Sequence, residues 1–266
     1  MLDLEFFQLS DNGRLRDHNE DSLGYFQPAS PDEARSRGWL FALADGVGGQ
    51  DHGEVASRLA VDTLVDGFSK SARSDALATV LPKLVQSANS KVYETAMHTG
   101  TSGSNMATTM VACALRYDRA IVAHAGDSRC YLVRQGYAAS VTRDHTVSSE
   151  QLRMGLITAG EASSSRTSHV LSRSLGTNMF LNVETSEHQI FAGDVFLLCC
   201  DGLHHSLQPE DIARITSAGI PLDQAARQLI DLANDRDGSD NISAQLIRVK
   251  SVERVGMYRG RHYKLH

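Results

Sequence analysis

The feature that most constrains this chain is a short pattern that recurs four times: an apolar run of strand length that meets an aspartate beside a small or turn-forming residue. The run Trp39-Leu-Phe-Ala-Leu-Ala44 ends at Asp45 and continues Gly46-Val47-Gly48-Gly49. Ala120 to Gly126 ends at Asp127, and the run from Asp194 to Cys200 ends at Asp201-Gly202. Near the C-terminus the order reverses, with Asp240-Asn241 ahead of Ile242 to Val249. One such aspartate is most simply a cap for the following helix. Four are different: if the strands lie side by side, four carboxylates converge at one sheet edge, where they repel one another and raise their own pKa values unless cations neutralise them. Hard divalent cations with oxygen ligands answer that need.

The periodicity around these strands predicts a mixed fold of antiparallel strands and covering helices. Phe6 to Ser10 and Leu23 to Phe26 read as strands, separated by the densely charged Arg14-Leu-Arg16-Asp-His-Asn19-Glu20-Asp21. An arginine among acids at a sheet edge suits bidentate binding of a phosphate oxygen pair. Val55, Ala56, Leu59, Ala60, Leu64 and Phe68 follow helical spacing, with the start near Asp51 or His52. A second helix is expected over Ser74 to His98, with a break or late start at Pro82, and then a link over Gly100 to Ser104. Thr108 to Tyr117 and Ala120 to Gly126 form a hairpin across Tyr117-Asp118-Arg119, and Ser128 to Arg134 with Gly136 to Thr142 form another. Val183 to Ile190 and Val195 to Cys200 read as strands, and Pro209 to Thr216 and Leu222 to Ala233 as short helices.

Asp144 to Gly176 stands apart: polar, serine-rich (Ser163, Ser164, Ser165, Ser168) and helical only near Ser148 to Gly155. It is either a surface excursion or a mobile flap over the cleft. No linker divides the chain, so residues 1–250 are expected to form one domain, followed by a basic tail, 251–266, that carries Arg254, Arg259, Arg261 and Lys264.

Composition narrows the function classes. Of 266 residues, 41% are hydrophobic and 22% charged, as in ordinary globular proteins, and the net charge of -6 argues against nucleic acid as a partner. The start, Met1-Leu-Asp-Leu-Glu5, lacks the basic and apolar regions of a signal peptide, and no apolar run spans a bilayer. The expectation is a cytoplasmic protein with no membrane partner, monomeric by default. Cys113, Cys130, Cys199 and Cys200 all lie in apolar runs without a C-x-x-C pair, so buried thiols in a reducing compartment are expected, with Cys199 and Cys200 on opposite sheet faces. The 11 histidines show no zinc-site spacing and read as structural or solvated. His204-His205 beside Asp201 should diverge in direction, and His145, near the start of the excursion, is the histidine best placed to matter.

In this order, Gly13-x-x-Arg16-x-x-Asn19-Glu20-Asp21, Asp45-Gly46-x-Gly48-Gly49, Thr108-Thr109, Gly126-Asp127-Ser128-Arg129, Asp201-Gly202 and Asp240-Asn241 resemble the metal-dependent Ser/Thr protein phosphatases of the PPM or type 2C family, in a bacterial-looking form. The likeness runs from about Phe6 to Val249. It implies a four-layer α-β-β-α sandwich, an α+β fold in which helices flank two antiparallel sheets, with a metal cleft at one end. It also implies two Mn2+ or Mg2+ ions, with a weaker third. By this resemblance Asp45 bridges the two ions and Gly46 offers its carbonyl. Asp201 and Asp240 complete the first ion's shell, Glu20 and Asp21 lie near the second, and Asp127 serves the third. Arg16 matches the phosphate-binding arginine, and Arg173-Ser174-Leu175-Gly176 belongs to the flap.

The implied reaction is hydrolysis of phosphoserine and phosphothreonine on proteins by a metal-bridging water, opposing a Ser/Thr kinase in bacterial signalling, with Asp45 and Arg16 as the catalytic pair. Two departures stand out. Animal members often carry a histidine two residues after the first aspartate, proposed as general acid, where this chain has Val47; the usual Gly-Thr-Thr is here Ala107-Thr108-Thr109. A catalytically silent phosphoprotein-binding module is the competing class, but such a module typically loses a metal carboxylate, and Asp45, Asp201 and Asp240 are all present. An aspartyl-nucleophile phosphatase would need Asp-x-Asp where Asp45-Gly46-Val47 stands, on a parallel sheet that the hairpins argue against.

Overall fold

The computed structural model describes residues 1–47, 52–72, 75–98, 106–163, 165–258 and 261–264. Gly48-Gly49, Asp51, Ser74, the link Gly100 to Ser104, Ser164 and Arg259 lie outside the described residues. The chain opens with β1 (Asp3–Asp11), β2 (Asp21–Phe26), α1 (Pro31–Ser36) and β3 (Trp39–Val47). Two long helices follow, α2 (Gly53–Lys70) and α3 (Leu77–His98). Next come β4 (Ala107–Thr108), β5 (Met110–Arg116), β6 (Arg119–Ala125), β7 (Arg129–Arg134) and β8 (Tyr137–Ser140). The excursion holds only α4 (Val147–Arg153) and α5 (Ala159–Ser163). Then follow β9 (Glu184–Gln189), β10 (Val195–Cys199), α6 (Asp201–Ser206), α7 (Pro209–Thr216), α8 (Leu222–Arg236) and β11 (Ile242–Ser251). A small hairpin, β12 (Val255–Tyr258) and β13 (Arg261–Lys264), lies in the basic tail.

The strands form two sheets in which every pairing is antiparallel, in the orders β2-β3-β5-β6-β9 and β1-β11-β10-β7-β8. Alternation along β3 explains the layering. Trp39, Phe41 and Leu43 face the second sheet and pack in a central core with Phe196, Leu198, Ile247 and Val249. Leu40, Ala42 and Ala44 face the other way, onto Ala60, Leu64 and Phe68 of α2 and Leu81 and Val85 of α3. A third core lies between Leu197, Leu246 and the helices α6, α7 and α8. The result is the four-layer sandwich that the sequence implied. A strand buried on both faces can present polar chemistry only at its ends, so function collects there. Cys199 and Cys200 do part company, one facing the α6–α8 core and the other the central core, and all four cysteines are buried and free.

Three local expectations change. Helix α3 begins at Leu77 and runs unbroken through Pro82, its sixth residue, where the missing N–H forfeits the bond to the Ala78 carbonyl and packing of the helix on the first sheet outweighs that loss. The six-residue α1 went unforeseen although its signal was present: the Ser30 side chain accepts the Glu33 N–H at 3.2 Å, and Pro31 starts the helix. The helix α6, directly after Asp201, was hidden behind the strand-then-aspartate pattern.

Candidate metal centre and phosphate cleft

Register brings the aspartates together. On the first sheet Asp21 is the cross-strand partner of Asp45, and Leu43 pairs with Val111 while Met110 pairs with Ala125, so the end of β6 shares their edge. On the second sheet Cys199 pairs with both Ala244 and Arg129, and Asp11 pairs with Ile242. The connections β1 to β2 and β6 to β7 pass from one sheet to the other at this same end. A cavity of about 300 Å³ opens there, lined by Arg16, Glu20, Asp45, Gly46, Val47, Thr109, Asp127, His169, Leu171, Asp201, Asp240 and Asn241. Six of the seven metal-site candidates are in that wall. Asp21 lies behind it, with its donor atoms and those of Asp45 and Cys200 within 4.8 Å of one another.

The backbone under Asp45 is clamped. Its N–H donates to Thr109 Oγ1 at 2.9 Å, and its carbonyl accepts from Thr108 Oγ1 and the Thr109 N–H, each at 2.8 Å. Thr109 Oγ1 also meets Ser128 Oγ at 2.7 Å, which ties the Asp45 strand to the Asp127 turn. That turn needs Gly126: φ is +115°, and a Cβ would lie 2.6 Å from Thr109 Cβ. Gly46 is required for a different reason, since a Cβ there would stand 2.4 Å from the Gly53 carbonyl carbon at the start of α2. The charged segment after β1 is equally fixed. Asn241 donates to the carbonyls of Asn12 (3.0 Å) and His18 (2.9 Å) and accepts the Glu20 N–H at 2.8 Å. Arg16 Nη2 reaches Asp240 Oδ2 at 2.8 Å while nearly half of its side chain stays exposed.

The electrostatics ask for cations. Burial, reinforced by Asp21, Asp201, Asp127 and Asp240, drives the Asp45 carboxyl well above the usual range. Burial, with Asp201 and Asp240 adding, lifts Asp21 to about 7. Asp127 also rises to about 7, through burial and then the charges of Asp201 and Asp144. Burial raises Asp201 and Glu20 as well; Asp240 adds to both shifts, while His205 opposes the first and Arg16 the second. Both Asp21 oxygens are sealed from solvent and receive no well-formed hydrogen bond, with only the Ser243 hydroxyl and the Cys200 thiol near enough to offset their burial in part. Two like charges directly opposite on paired strands destabilise a sheet, and orphaned buried oxygens cost more. Divalent cations between these acids would remove both penalties, so the donor set fits the all-oxygen chemistry of Mn2+ or Mg2+.

Around this floor, side-chain bonds hold the excursion. Burial works against the Arg129 cation, yet its bidentate pair with Asp144 (2.8 and 2.7 Å) overrides that and holds Arg129 above, and Asp144 below, their ordinary values. His145 is fully buried, its Nδ1 accepting the Gly126 N–H at 3.3 Å and its Nε2 meeting Glu184 at 3.2 Å. At the far end Thr108 and Leu175 exchange backbone bonds at 3.1 and 2.8 Å, and Asn89 of α3 accepts the Gly176 N–H at 2.9 Å. Thr109, Asn241, His169 and Leu171 are site residues to which sequence reasoning gave no role. The Thr-Thr and Asp-Asn pairs signalled two of them; nothing local signals His169 or Leu171.

Comparison with known proteins decides the lineage: the family described as protein phosphatase 2C matches residues 7–242. The chain belongs to that family. Among protein phosphatase 2C relatives, the serine/threonine phosphatase stp of Listeria innocua is 32% identical over 255 residues, covering 95% of this chain and 96% of the relative. The solved serine/threonine phosphatase of S. agalactiae superposes with a TM-score of 0.83 at 30% identity, covering 93% of this chain and all of the other. The catalytic domain of the serine/threonine protein phosphatase PstP, solved in complex with two manganese ions, gives a TM-score of 0.79 at 30% identity over 94% of this chain. Protein phosphatase 2C enzymes are metal-dependent, as the acid cluster here demands. No described helix is long and apolar enough to cross a membrane.

Proposed function

We propose that this chain is a bacterial metal-dependent protein Ser/Thr phosphatase that hydrolyses phosphoserine and phosphothreonine on proteins. Metal dependence and phosphoprotein chemistry follow from family membership. The finer reading is two Mn2+ or Mg2+ ions with a weaker third, a monomer, and a Ser/Thr kinase whose work the enzyme reverses. The observation that carries it is the convergence of Asp45, Asp201, Asp240, Glu20 and Asp127, with Asp21 behind them and Arg16 at the mouth.

In this reading Asp45 would serve both ions and the Gly46 carbonyl one of them; Asp201 and Asp240 would complete the first ion's set, Glu20 and Asp21 would lie near the second, directly or through water, and Asp127 would serve the third. Bound there, divalent cations lower the pKa of water enough to supply a nucleophile near neutral pH and neutralise phosphoryl charge. Arg16, anchored by Asp240 yet half exposed, grips phosphoryl oxygens and so orients the phosphorus. The Thr108-Thr109 clamp keeps Asp45 from moving as charge builds, which is the preorganisation that electrostatic catalysis needs. Val47 lines the cleft without a proton to give, so the leaving alkoxide would take its proton from metal-bound water, from water at the third ion, or from solvent. The excursion 144–176 acts as the flap that frames the phosphopeptide.

The test is turnover of a phosphothreonine peptide with Mn2+ by the wild type and by Asp45→Asn. Loss of about a thousandfold or more in kcat with an unchanged circular dichroism spectrum is expected. Wild-type turnover that survives exhaustive chelation, or a fully active Asp45→Asn protein, would overturn the assignment.

A further inference from the structure

Three clusters of metal-ligating side chains exist among the described residues. Asp21, Asp45 and Cys200 belong to the centre already described. His124, His145 and Glu184 are hydrogen-bonded to their surroundings: His124 Nε2 donates to the Arg143 carbonyl at 2.8 Å, both His145 nitrogens are engaged, and Arg143 donates to Glu184 at 2.8 Å while Arg173 lies 3.3 Å from His145. A dication would have to displace those bonds and sit beside two guanidinium groups.

The third cluster is His169, Asp201 and His205, whose donor atoms lie within 4.8 Å of one another. Here the nitrogens are open. Neither imidazole makes a hydrogen bond to a described residue; the nearest polar approach is His205 Nδ1 to Asp201 Oδ2 at 3.9 Å. The His205 ring is braced edge-on by His204 at 4.6 Å, and His204 is itself fixed by donating from Nε2 to the Asp127 carbonyl at 3.0 Å. His169 comes from the excursion and meets His205 edge-on at 4.9 Å between ring centres, at the wall of the phosphate cleft.

We infer that His169, His205 and Asp201 form a second kind of metal site, one that takes Zn2+ and regulates the cleft. Two imidazoles and one carboxylate, with the fourth position facing solvent, are a zinc donor set rather than one for Mg2+ or Mn2+. Zinc held there joins the excursion to the floor through His169. It also draws on Asp201, which the proposed function gives to the catalytic ions, so the inhibitory consequence rests on that reading while the binding does not. The outcome is an enzyme that Mn2+ activates and Zn2+ arrests.

The experiment is titration of Zn2+ into the Mn2+-saturated full chain, with equilibrium dialysis for stoichiometry and zinc K-edge absorption for ligand type. One tightly held zinc per chain with scattering from two imidazoles is expected. His169→Gln, at an exposed position that does not endanger folding, and His205→Gln should each leave one imidazole and weaken zinc binding tenfold or more. The zinc concentration that halves phosphopeptide turnover, measured against each variant's own Mn2+ rate, should rise by the same factor. Zinc without histidine scattering, or variants that bind it as the wild type does, would overturn the site. Two-imidazole zinc in a chain that never hydrolyses a phosphopeptide would uphold the site and sink the phosphatase reading instead.

Discussion

The floor of the cleft and the excursion above it are built on different principles. The floor is made of strand ends: Asp45 is fixed by sheet register and three hydrogen bonds, Asp127 by a glycine turn and Asp240 by the start of β11. The excursion has two short helices, leaves Met154, Leu156 and Val170 exposed, and is held by side-chain contacts at its ends and by two isolated backbone bridges, Thr108 to Leu175 and Thr146 to Leu171. Sheet register cannot yield without unfolding, whereas contacts of the second kind open locally at low cost. The floor should therefore govern chemistry and the excursion access.

That division can be broken by comparing substitutions in one assay. Asp45→Asn should remove about three orders of magnitude from kcat, whereas Asp144→Asn, which frees Arg129 and loosens the excursion, should act mainly through KM, by roughly tenfold. Equal kcat losses would merge the two regions into one functional unit. Asp21→Asn should separate stability from metal binding. Without metal it removes a buried, orphaned acid facing Asp45, so the metal-free protein should melt several degrees higher, while the gain in Tm on adding Mn2+ shrinks. A metal-free Tm that falls instead would mean that the acid pair is not strained. Asn89→Ala deletes the anchor of Gly176 and of the Asn178 and Met179 carbonyls and should cost about 1–3 kcal/mol by denaturant unfolding, with hydrogen exchange rising in the excursion first.

An effect of similar size to that of Asn89→Ala concerns acid. Burial, with His124 adding, lowers the His145 pKa to about 4. Unfolded chain binds the proton near pH 6.5, so the stability tied to neutral His145 is complete above that value and drains as pH falls toward 4. Between pH 6.5 and 5 the wild type should lose roughly 2 kcal/mol more than His145→Gln in Mn2+-saturated protein. Parallel curves would remove His145 as a pH-sensitive link between floor and excursion.

Legibility in the sequence follows the same division. Asp45, Asp127, Asp201 and Asp240 could be read because each is announced by its own apolar strand. Cys199 and Cys200 followed from period two. The parts that escaped are set by distant partners. Asn241 draws its role from carbonyls more than 220 residues away, and His169 enters the cleft only because its segment folds back over α6. Pro82 misleads for the opposite reason: helix packing on the sheet outweighs a local penalty.

The contact between Gly46 and Gly53 sets a limit on how this cleft can be retuned. With two main chains in touch, no group can be threaded between the carboxylate at 45 and the helix beyond it. A newcomer with a proton to lend would need a neighbouring foothold, and position 47, in the cleft wall, is one. The valine there leaves that foothold vacant, so pH tuning by histidine could be added at 47 without rebuilding the cleft.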